Sequence, residues 1–169
     1  MITIRRATIT DAAGIGLVQL DSWRSAYVDW LPDEYLVQFT YTEQTEDWQQ
    51  LLAKRAVVFV VHDPEQGIVG FAYLREEADA PHPGELVSFH MAPAFRNQGI
   101  GRQMWDAVNG YFREQGLPSF WLWVIKDNIP ARRFYERLGG TLEGEQTAEF
   151  GKGEVVLALP EVAYSYQVT

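Results

Sequence analysis

Positions 84–105 read GELVSFHMAPAFRNQGIGRQMW, and this stretch predicts a strand, a glycine turn and the start of a helix. Residues 86–91 are apolar enough for a buried strand. Pro93 should end it, because proline cannot donate to a strand ladder. Gly99 and Gly101 let the backbone approach a ligand without a Cβ in the way. From Arg102 onward the apolar side chains recur at the spacing of a helix.

The glycine turn has the features of an anion site. A helix N-terminus presents unpaired N–H groups and the positive end of its dipole, which suits a phosphate. Consecutive N–H groups in a tight turn also form an anion-binding concavity, and Arg96 and Arg102 add positive charge on either side of the glycines. An ordinary strand-to-helix turn stays open as the alternative. The Walker pattern of a nucleotide-binding loop is absent. A dinucleotide fingerprint is also incomplete, because Met104 stands at the position of its third glycine.

Two motifs resemble one known family. Residues 96–101, RNQGIG, are similar to the [QR]-x-x-G-x-[GA] turn of the GNAT acyltransferases, and FHMAP before them resembles the end of that family's fourth strand. Residues 128–139, NIPARRFYERLG, resemble the family's N-x-x-A-x-x-[FY]-Y-x-x-x-G segment. The two motifs in this order are far more specific than the turn alone. The resemblance implies an N-acetyltransferase that uses acetyl-coenzyme A as acyl donor and a primary amine as acceptor.

Length and composition bound the other functions. A chain of 169 residues fits one domain, so we expect a single acetyltransferase domain over residues 1–169. The formal charge of −9 argues against nucleic-acid binding; it favours a cationic acceptor or simply serves solubility. The chain has no cysteine, which excludes disulfides and thiolate metal sites, and its three histidines show no metal-ligand spacing. Apolar runs are too short for a membrane span or a signal peptide, so a cytoplasmic protein is expected.

Periodicity along the chain predicts an α/β fold of the α+β kind. Alternating or apolar runs predict strands at 2–7, 56–62, 68–74, 86–91, 119–125, 141–150 and 154–167. Helical spacing predicts helices after Thr10 or Asp11, at 33–36, ending near 54, at 102–115 and after Asn128. The strand–helix–strand run 86–125 implies parallel pairing. We therefore expect a mixed, mostly antiparallel sheet of about seven strands, with a splayed parallel pair at the fourth and fifth strands and helices on both faces.

The resemblance also assigns the cofactor contacts. The pantetheine arm would pair with the backbone of Phe89, His90 and Met91 like an added strand, in the cleft where the parallel strands splay. The pyrophosphate would bind the backbone N–H groups of the turn at Asn97, Gln98, Gly99, Ile100, Gly101 and Arg102, and Arg96 would add positive charge beside them. Asn128 would contact the pantetheine or cap its own helix.

Catalytic roles follow from the same resemblance. An alkyl ammonium must lose a proton before its nitrogen can attack a thioester. Glu85 aligns with the glutamate base of some family members, with a solvated strand-edge carboxylate as the alternative. His90 is a second candidate base. Strand alternation places it on the face of Leu86 and Ser88, away from the Glu85 face, which favours a His90 in the core or beside the pantetheine. Tyr135 occupies the position of the general acid that protonates the departing thiolate, with a buried core aromatic as the alternative.

The acceptor side and the assembly are less defined. Four aromatic residues lie in a segment that covers the acceptor site in the family, or they belong to the core: Trp23, Tyr27, Trp30 and Tyr35. Exposed sheet edges near the C-terminus permit a homodimer. Two competing functions stay open, a non-catalytic acyl-coenzyme A binding or sensing module and an unrelated protein that binds ATP or NAD.

Overall fold

The computed structural model describes residues 1–169 and contains seven strands and five α-helices. Two short 3-10 turns precede α1 and α4, at Ile9–Asp11 and Pro93–Phe95. In chain order the elements are β1 Thr3–Arg6, α1 Ala12–Ala26, α2 Asp33–Leu36, α3 Tyr41–Ala53, β2 Val57–Asp63, β3 Gly67–Glu76, β4 Gly84–Met91, α4 Ile100–Glu114, β5 Ser119–Ile125, α5 Ile129–Arg137, β6 Thr141–Lys152 and β7 Val155–Gln167.

The strands form one mixed sheet in the order β1-β2-β3-β4-β5-β7-β6. Strands β4 and β5 pair in parallel, whereas β1 with β2, β2 with β3, β5 with β7 and β6 with β7 pair antiparallel. The parallel pair is joined through α4, because parallel neighbours need a crossover connection. This arrangement confirms the predicted mixed, mostly antiparallel sheet with its parallel pair at the fourth and fifth strands.

Backbone contacts divide the chain into two compact units. The first comprises Met1–Leu74 and Ser88–Val108, and the second comprises Arg75–Val87 and Asn109–Thr169. The expectation of a single domain over residues 1–169 therefore stays a prediction.

The core of the first unit lies between two helices and a hairpin. Helices α1 and α3 pack on β2 and β3 through Ala12, Ile15, Val18, Trp48, Val58, Val60 and Phe71. Near the end of β4, His90 packs against Phe71, with ring centroids 5.3 Å apart. Its neighbour Phe89 packs instead against Trp105 of α4, at 6.3 Å. Helices thus cover both faces of this unit, as the sequence predicts.

Stacked aromatic rings form the centre of the second unit. Phe120 of β5 stacks on Phe112 of α4 at 4.8 Å and on Tyr166 of β7 at 5.1 Å. Gly84 fits beneath this stack because it has no side chain. A Cβ there would lie 2.7 Å from Phe120 Cβ and 2.9 Å from Phe112 Cε1, so residue 84 must be glycine for β4 to sit this close.

A polar network within the second unit ties the loop before β4 to β5, β6 and β7. His82 Nδ1 lies 2.8 Å from Ser119 Oγ, and His82 Nε2 lies 2.7 Å from Glu143 Oε2. The hydroxyl of Ser165 donates to Glu143 Oε1 at 2.6 Å. The hydrogen bonds from Ser165 and His82 lower the pKa of Glu143. The loop at residues 77–83 is therefore anchored at His82.

The start of α1 differs in detail from the prediction. Asp11 does occupy the N-cap position of α1, but its side chain makes no capping bond to that helix. Its carboxylate instead binds the Arg5 guanidinium at 2.8 and 2.9 Å and accepts the Thr8 N–H at 2.8 Å. These bonds, that of Arg5 foremost, lower the pKa of Asp11 to about 2. The aspartate thus links β1 to the turn before α1.

Candidate active site

The turn between β4 and α4 has an unusual backbone. Asn97 and Gly99 adopt positive φ angles of 59° and 79°, a region that favours glycine and tolerates asparagine. A Cβ at Gly99 would meet nothing within 4 Å, so the backbone conformation, not crowding, requires glycine. Backbone that alternates between left-handed and right-handed residues is the conformation in which successive N–H groups can face one anion. Helix α4 begins at Ile100, two residues before the predicted start at Arg102.

The polar side chains of this turn are exposed and bonded locally. Arg96 Nε donates to the carbonyl of Met91 at 2.9 Å, which ties the turn to the end of β4. Gln98 Nε2 donates to the carbonyl of Ala94 at 2.7 Å. Arg102 Nε donates to Asp106 Oδ1 at 3.2 Å, one helical turn later. The two arginines flank the glycines in the chain, and their side chains bond to Met91 before the turn and to Asp106 after it.

His90 is half-buried next to this turn. Burial disfavours its charged form and the nearby Arg96 adds positive charge, which together lower the pKa of His90 to about 4. The imidazole is therefore neutral at pH 7.

The prediction that His90 points away from the Glu85 face rested on unbroken alternation along β4. A Cβ at Gly84 would face Phe112 of α4, yet Phe89, an odd number of residues later, also packs on α4; alternation is broken and the prediction loses its basis.

Glu85 lies in the second unit at the start of the parallel pairing. The paired residues are Gly84 with Phe120 and Glu85 with Trp121, although β4 and β5 both continue beyond them. The Glu85 side chain is only 19% exposed, and its Oε2 lies 2.8 Å from Arg75 Nη2. Glu85 is thus a paired carboxylate and not a freely solvated one.

The charge of Glu85 affects the pKa of a second carboxylate. Glu161 of β7 is half-buried, and its pKa is raised mainly by that burial and further by the negative charge of Glu85. Gln146 Nε2 donates to Glu161 Oε2 at 3.3 Å, which opposes the rise. The sequence analysis missed Glu161, because nothing local marks a glutamate in β7 as a neighbour of one in β4.

Helix α5 carries the predicted general acid. Asn128 Oδ1 accepts the Ala131 N–H at 3.2 Å, so Asn128 caps this helix as predicted, with Pro130 in the first turn. The side chain of Tyr135 is buried at 9% exposure. Its backbone carbonyl accepts a hydrogen bond of 2.8 Å from the Tyr166 hydroxyl.

The aromatic residues predicted for the acceptor side form two groups in the first unit. Trp23 packs edge-on against Phe39 at 4.9 Å, and Tyr35 packs against the same ring at 5.1 Å. Tyr35 is buried at 5% exposure, and that burial raises its pKa. Half-buried Tyr27 and Trp30 pack against each other at 5.8 Å. Tyr35 therefore lies in the core and is linked to Trp23 through Phe39, whereas Trp23, Tyr27 and Trp30 keep part of their surface accessible.

The predicted residues are distributed over both units. The first contains the β4 end, the glycine turn and the four aromatic residues, and the second contains Glu85, Asn128 and Tyr135. No three or more histidine, aspartate or glutamate side chains cluster as metal ligands. No helix combines the length and apolar character needed to cross a membrane.

Comparison with known proteins points to one family. The sequence profile of the Acetyltransferase (GNAT) family matches residues 20–140. The uncharacterized N-acetyltransferase YuaI of Bacillus subtilis (strain 168) is 32% identical over 139 residues, which are 80% of this chain and 78% of YuaI. Mycothiol acetyltransferase of Mycobacteroides abscessus is 28% identical over 119 residues, and the match spans 70% of this chain but only 37% of that protein.

Solved structures share the fold at low sequence identity. The PaiA N-acetyltransferase of Thermoplasma acidophilum, in complex with coenzyme A, superposes with a TM-score of 0.75 at 17% identity and covers 99% of both chains. YncA of Salmonella typhimurium, a putative acetyltransferase solved with acetyl-coenzyme A, superposes with a TM-score of 0.70 at 16% identity and covers 100% of this chain and 95% of YncA.

Proposed function

Since this chain belongs to the GNAT acetyltransferase family, whose donor is acetyl-coenzyme A, we propose which of its residues bind that donor and carry the transfer to a primary amine. The observation that carries the proposal is the turn at residues 96–102. Its left-handed Asn97 and Gly99, its exposed position and its flanking arginines suit a pyrophosphate bound by backbone N–H groups.

The donor contacts proposed here are mostly backbone contacts. The N–H groups of residues 97–102 hold the pyrophosphate, and the backbone of Phe89, His90 and Met91 pairs with the pantetheine. The Arg96 N–H already donates to the Pro93 carbonyl at 3.2 Å, so Arg96 contributes its charge. Asn128 caps α5 and thereby sets the start of the helix that bears Tyr135. With this division we expect substitution of Gly99 to weaken donor binding more than changes of the side chains at 97, 98 or 100.

The proposed chemistry uses one base and one acid. Glu85, directly or through a water molecule, takes a proton from the ammonium so that the nitrogen lone pair can attack the thioester carbonyl. A C–N bond forms, and the tetrahedral intermediate collapses with cleavage of the C–S bond. The Tyr135 hydroxyl gives a proton to the departing thiolate. The attacking nitrogen releases its second proton, which restores the Tyr135 hydroxyl through solvent, so that a neutral amide and the free coenzyme A thiol result. A neutral His90 is the second candidate for the base, although its lowered pKa makes it a weaker proton acceptor than an ordinary histidine.

The acceptor binds, in this proposal, against half-buried Trp23, Tyr27 and Trp30, with Tyr35 packing beneath through Phe39. Aromatic faces attract an alkyl ammonium group through cation–π interaction. The cytoplasmic location and the homodimer expected from the sequence stay predictions.

Calorimetric titration with acetyl-coenzyme A, with ATP and NAD as controls, tests the donor site. We expect saturable binding of acetyl-coenzyme A alone, and Gly99→Ala should weaken it. Thiol release with a panel of primary amines then tests turnover. The comparisons do not favour a non-catalytic binding module; binding without thiol release from any amine would revive it, and the absence of binding would contradict the assignment of the turn.

A further inference from the structure

Two tyrosines of β7 hold consecutive residues of α5. Tyr164 and Tyr166 are two residues apart, so they lie on the same face of the strand. The Tyr164 hydroxyl donates to Glu136 Oε1 at 2.6 Å, and the Tyr166 hydroxyl donates to the Tyr135 carbonyl at 2.8 Å. The second of these bonds is buried and reaches the backbone of the residue proposed as general acid.

The Tyr135 carbonyl lies in the last turn of α5, which ends at Arg137. It also accepts the N–H groups of Leu138 and Gly140, each at 3.2 Å. Carbonyls in the last turn of a helix lack regular intrahelical partners, so the additional donors fix the backbone there. The hydroxyl of Tyr166 adds a side-chain donor to these two backbone donors.

Tyr166 itself is held firmly. Its ring stacks on Phe120 with an interplanar angle of 15°, and Phe120 stacks in turn on Phe112. A Cβ at Gly140 would lie 2.5 Å from the Tyr166 hydroxyl oxygen and 2.8 Å from its Cζ. Glycine at 140 therefore leaves the space that the Tyr166 hydroxyl occupies. Burial also raises the pKa of Tyr166, which keeps the hydroxyl protonated as a donor.

From these contacts we propose that Tyr166 is a positioning residue for the reaction: its buried hydroxyl fixes the Tyr135 backbone and thereby aims the Tyr135 side chain. This inference rests on the proposed role of Tyr135 as general acid. The ring stack holds Tyr166 in place, so β7 fixes the position of the end of α5. This position matters because a small displacement of a general acid lowers the reaction rate far more than it weakens binding of the donor.

The test is a double-mutant cycle on kcat with Tyr135→Phe, Tyr166→Phe and the double variant. We expect Tyr166→Phe to lower kcat about tenfold while the KM for acetyl-coenzyme A changes less than about twofold. We expect the double variant to be no slower than Tyr135→Phe. Once Tyr135 lacks its hydroxyl, there is no proton donor left for Tyr166 to position, so loss of the Tyr166 hydroxyl has no further effect on kcat.

Ser165→Ala is the matched control. Ser165 lies beside Tyr166 on β7, is buried, and loses one hydrogen bond, to Glu143. We expect its effect on kcat to be small and to multiply independently with that of Tyr135→Phe. Gly140→Ala disturbs the same clamp from the other side and should also lower kcat without raising the KM for acetyl-coenzyme A.

The outcomes separate the two proposals. If Tyr135→Phe is impaired and Tyr166→Phe slows both backgrounds by the same factor, Tyr166 is merely structural and the inference is overturned. If Tyr135→Phe keeps the wild-type kcat, the general-acid role falls and the positioning role falls with it. If Tyr166→Phe does not fold, Gly140→Ala completes the same cycle with Tyr135→Phe and decides by the same criterion.

Discussion

The Arg75 guanidinium reaches the Glu85 carboxylate at 2.8 Å, so the proposed base is held in one orientation by an ion pair. Arg75 is 54% exposed whereas Glu85 is 19% exposed. A half-exposed pair contributes little to stability. Its main effect is on geometry, because it aligns one oxygen of Glu85.

Replacing Glu85 tests the base. We expect Glu85→Gln to lower kcat/KM about 100-fold below the pH optimum and much less at high pH. The physical reason is that the acceptor amine deprotonates by itself as the pH approaches its own pKa, so the base loses importance. Thiol-release rates across the pH range measure the ratio of variant to wild type. A ratio that stays flat with pH would argue against Glu85 as base and direct attention to His90.

The turn residue Gly99 should resist substitution. Gly99→Ala forces an L-residue to φ 79°, which costs about 1–2 kcal/mol, and it shifts the N–H groups of the turn. We expect the KM for acetyl-coenzyme A to rise about tenfold with a smaller effect on kcat, as loss of uniform binding requires. Asn97→Gly is the control, because it relaxes a positive φ and should leave donor binding intact. Unchanged donor affinity in Gly99→Ala would mean that this turn does not bind the pyrophosphate.

Gly84 should be intolerant for a different reason, crowding. A Cβ there meets Phe120 and Phe112 at under 3 Å, and overpacking a core costs about 1–3 kcal/mol. We expect Gly84→Ala to lower the free energy of unfolding by that amount in a denaturant titration. Gly144→Ala is the matched control, because a Cβ at Gly144 meets nothing within 4 Å. Equal stability of the two variants would contradict the close approach of β4 to the aromatic stack.

The lowered pKa of Asp11 predicts that the free energy of unfolding depends on pH. Its pKa is lowered from 3.8 to about 2 in the folded protein, so its stabilising contribution is present above about pH 4 and is lost as the pH falls toward 2. We expect Asp11→Asn to destabilise the protein by about 1 kcal/mol at pH 7 after allowance for solvent screening of Arg5. Chemical denaturation at several pH values should show the variant and the wild type converging below pH 3. A constant difference over that range would exclude the Arg5–Asp11 pair as its source.

Local patterns in the sequence predicted the elements well where apolar spacing is strong. The strand Ser119–Ile125 has the predicted bounds, and the Asn128 cap is made as predicted. The prediction found only the end of α3, which in fact begins at Tyr41. Its first two turns are mostly polar, and their signal was the capping box of Thr40 and Glu43 and not an apolar stripe.

Parts of the candidate site were out of reach because they depend on distant pairing. The ion pair of Glu85 with Arg75 joins neighbouring strands, and the influence of Glu85 on Glu161 joins β4 to β7. The bond from Tyr166 to Tyr135 spans the end of a helix and the last strand. No local period encodes such contacts, whereas the motifs of the turn and of α5 are contiguous and can be read directly.

The close fit of Gly140 against Tyr166 restricts which residues can evolve together at these two positions, which lie 26 residues apart. While a tyrosine occupies 166, any side chain at 140 collides with its hydroxyl and with its ring carbon Cζ; only a residue at 166 that is shorter than both tyrosine and phenylalanine relaxes the requirement for glycine. The two sites should therefore covary among related sequences, with larger residues at 140 accompanied by shorter ones at 166. A lineage that changes one position first passes through a less fit intermediate, which makes the pair slow to drift.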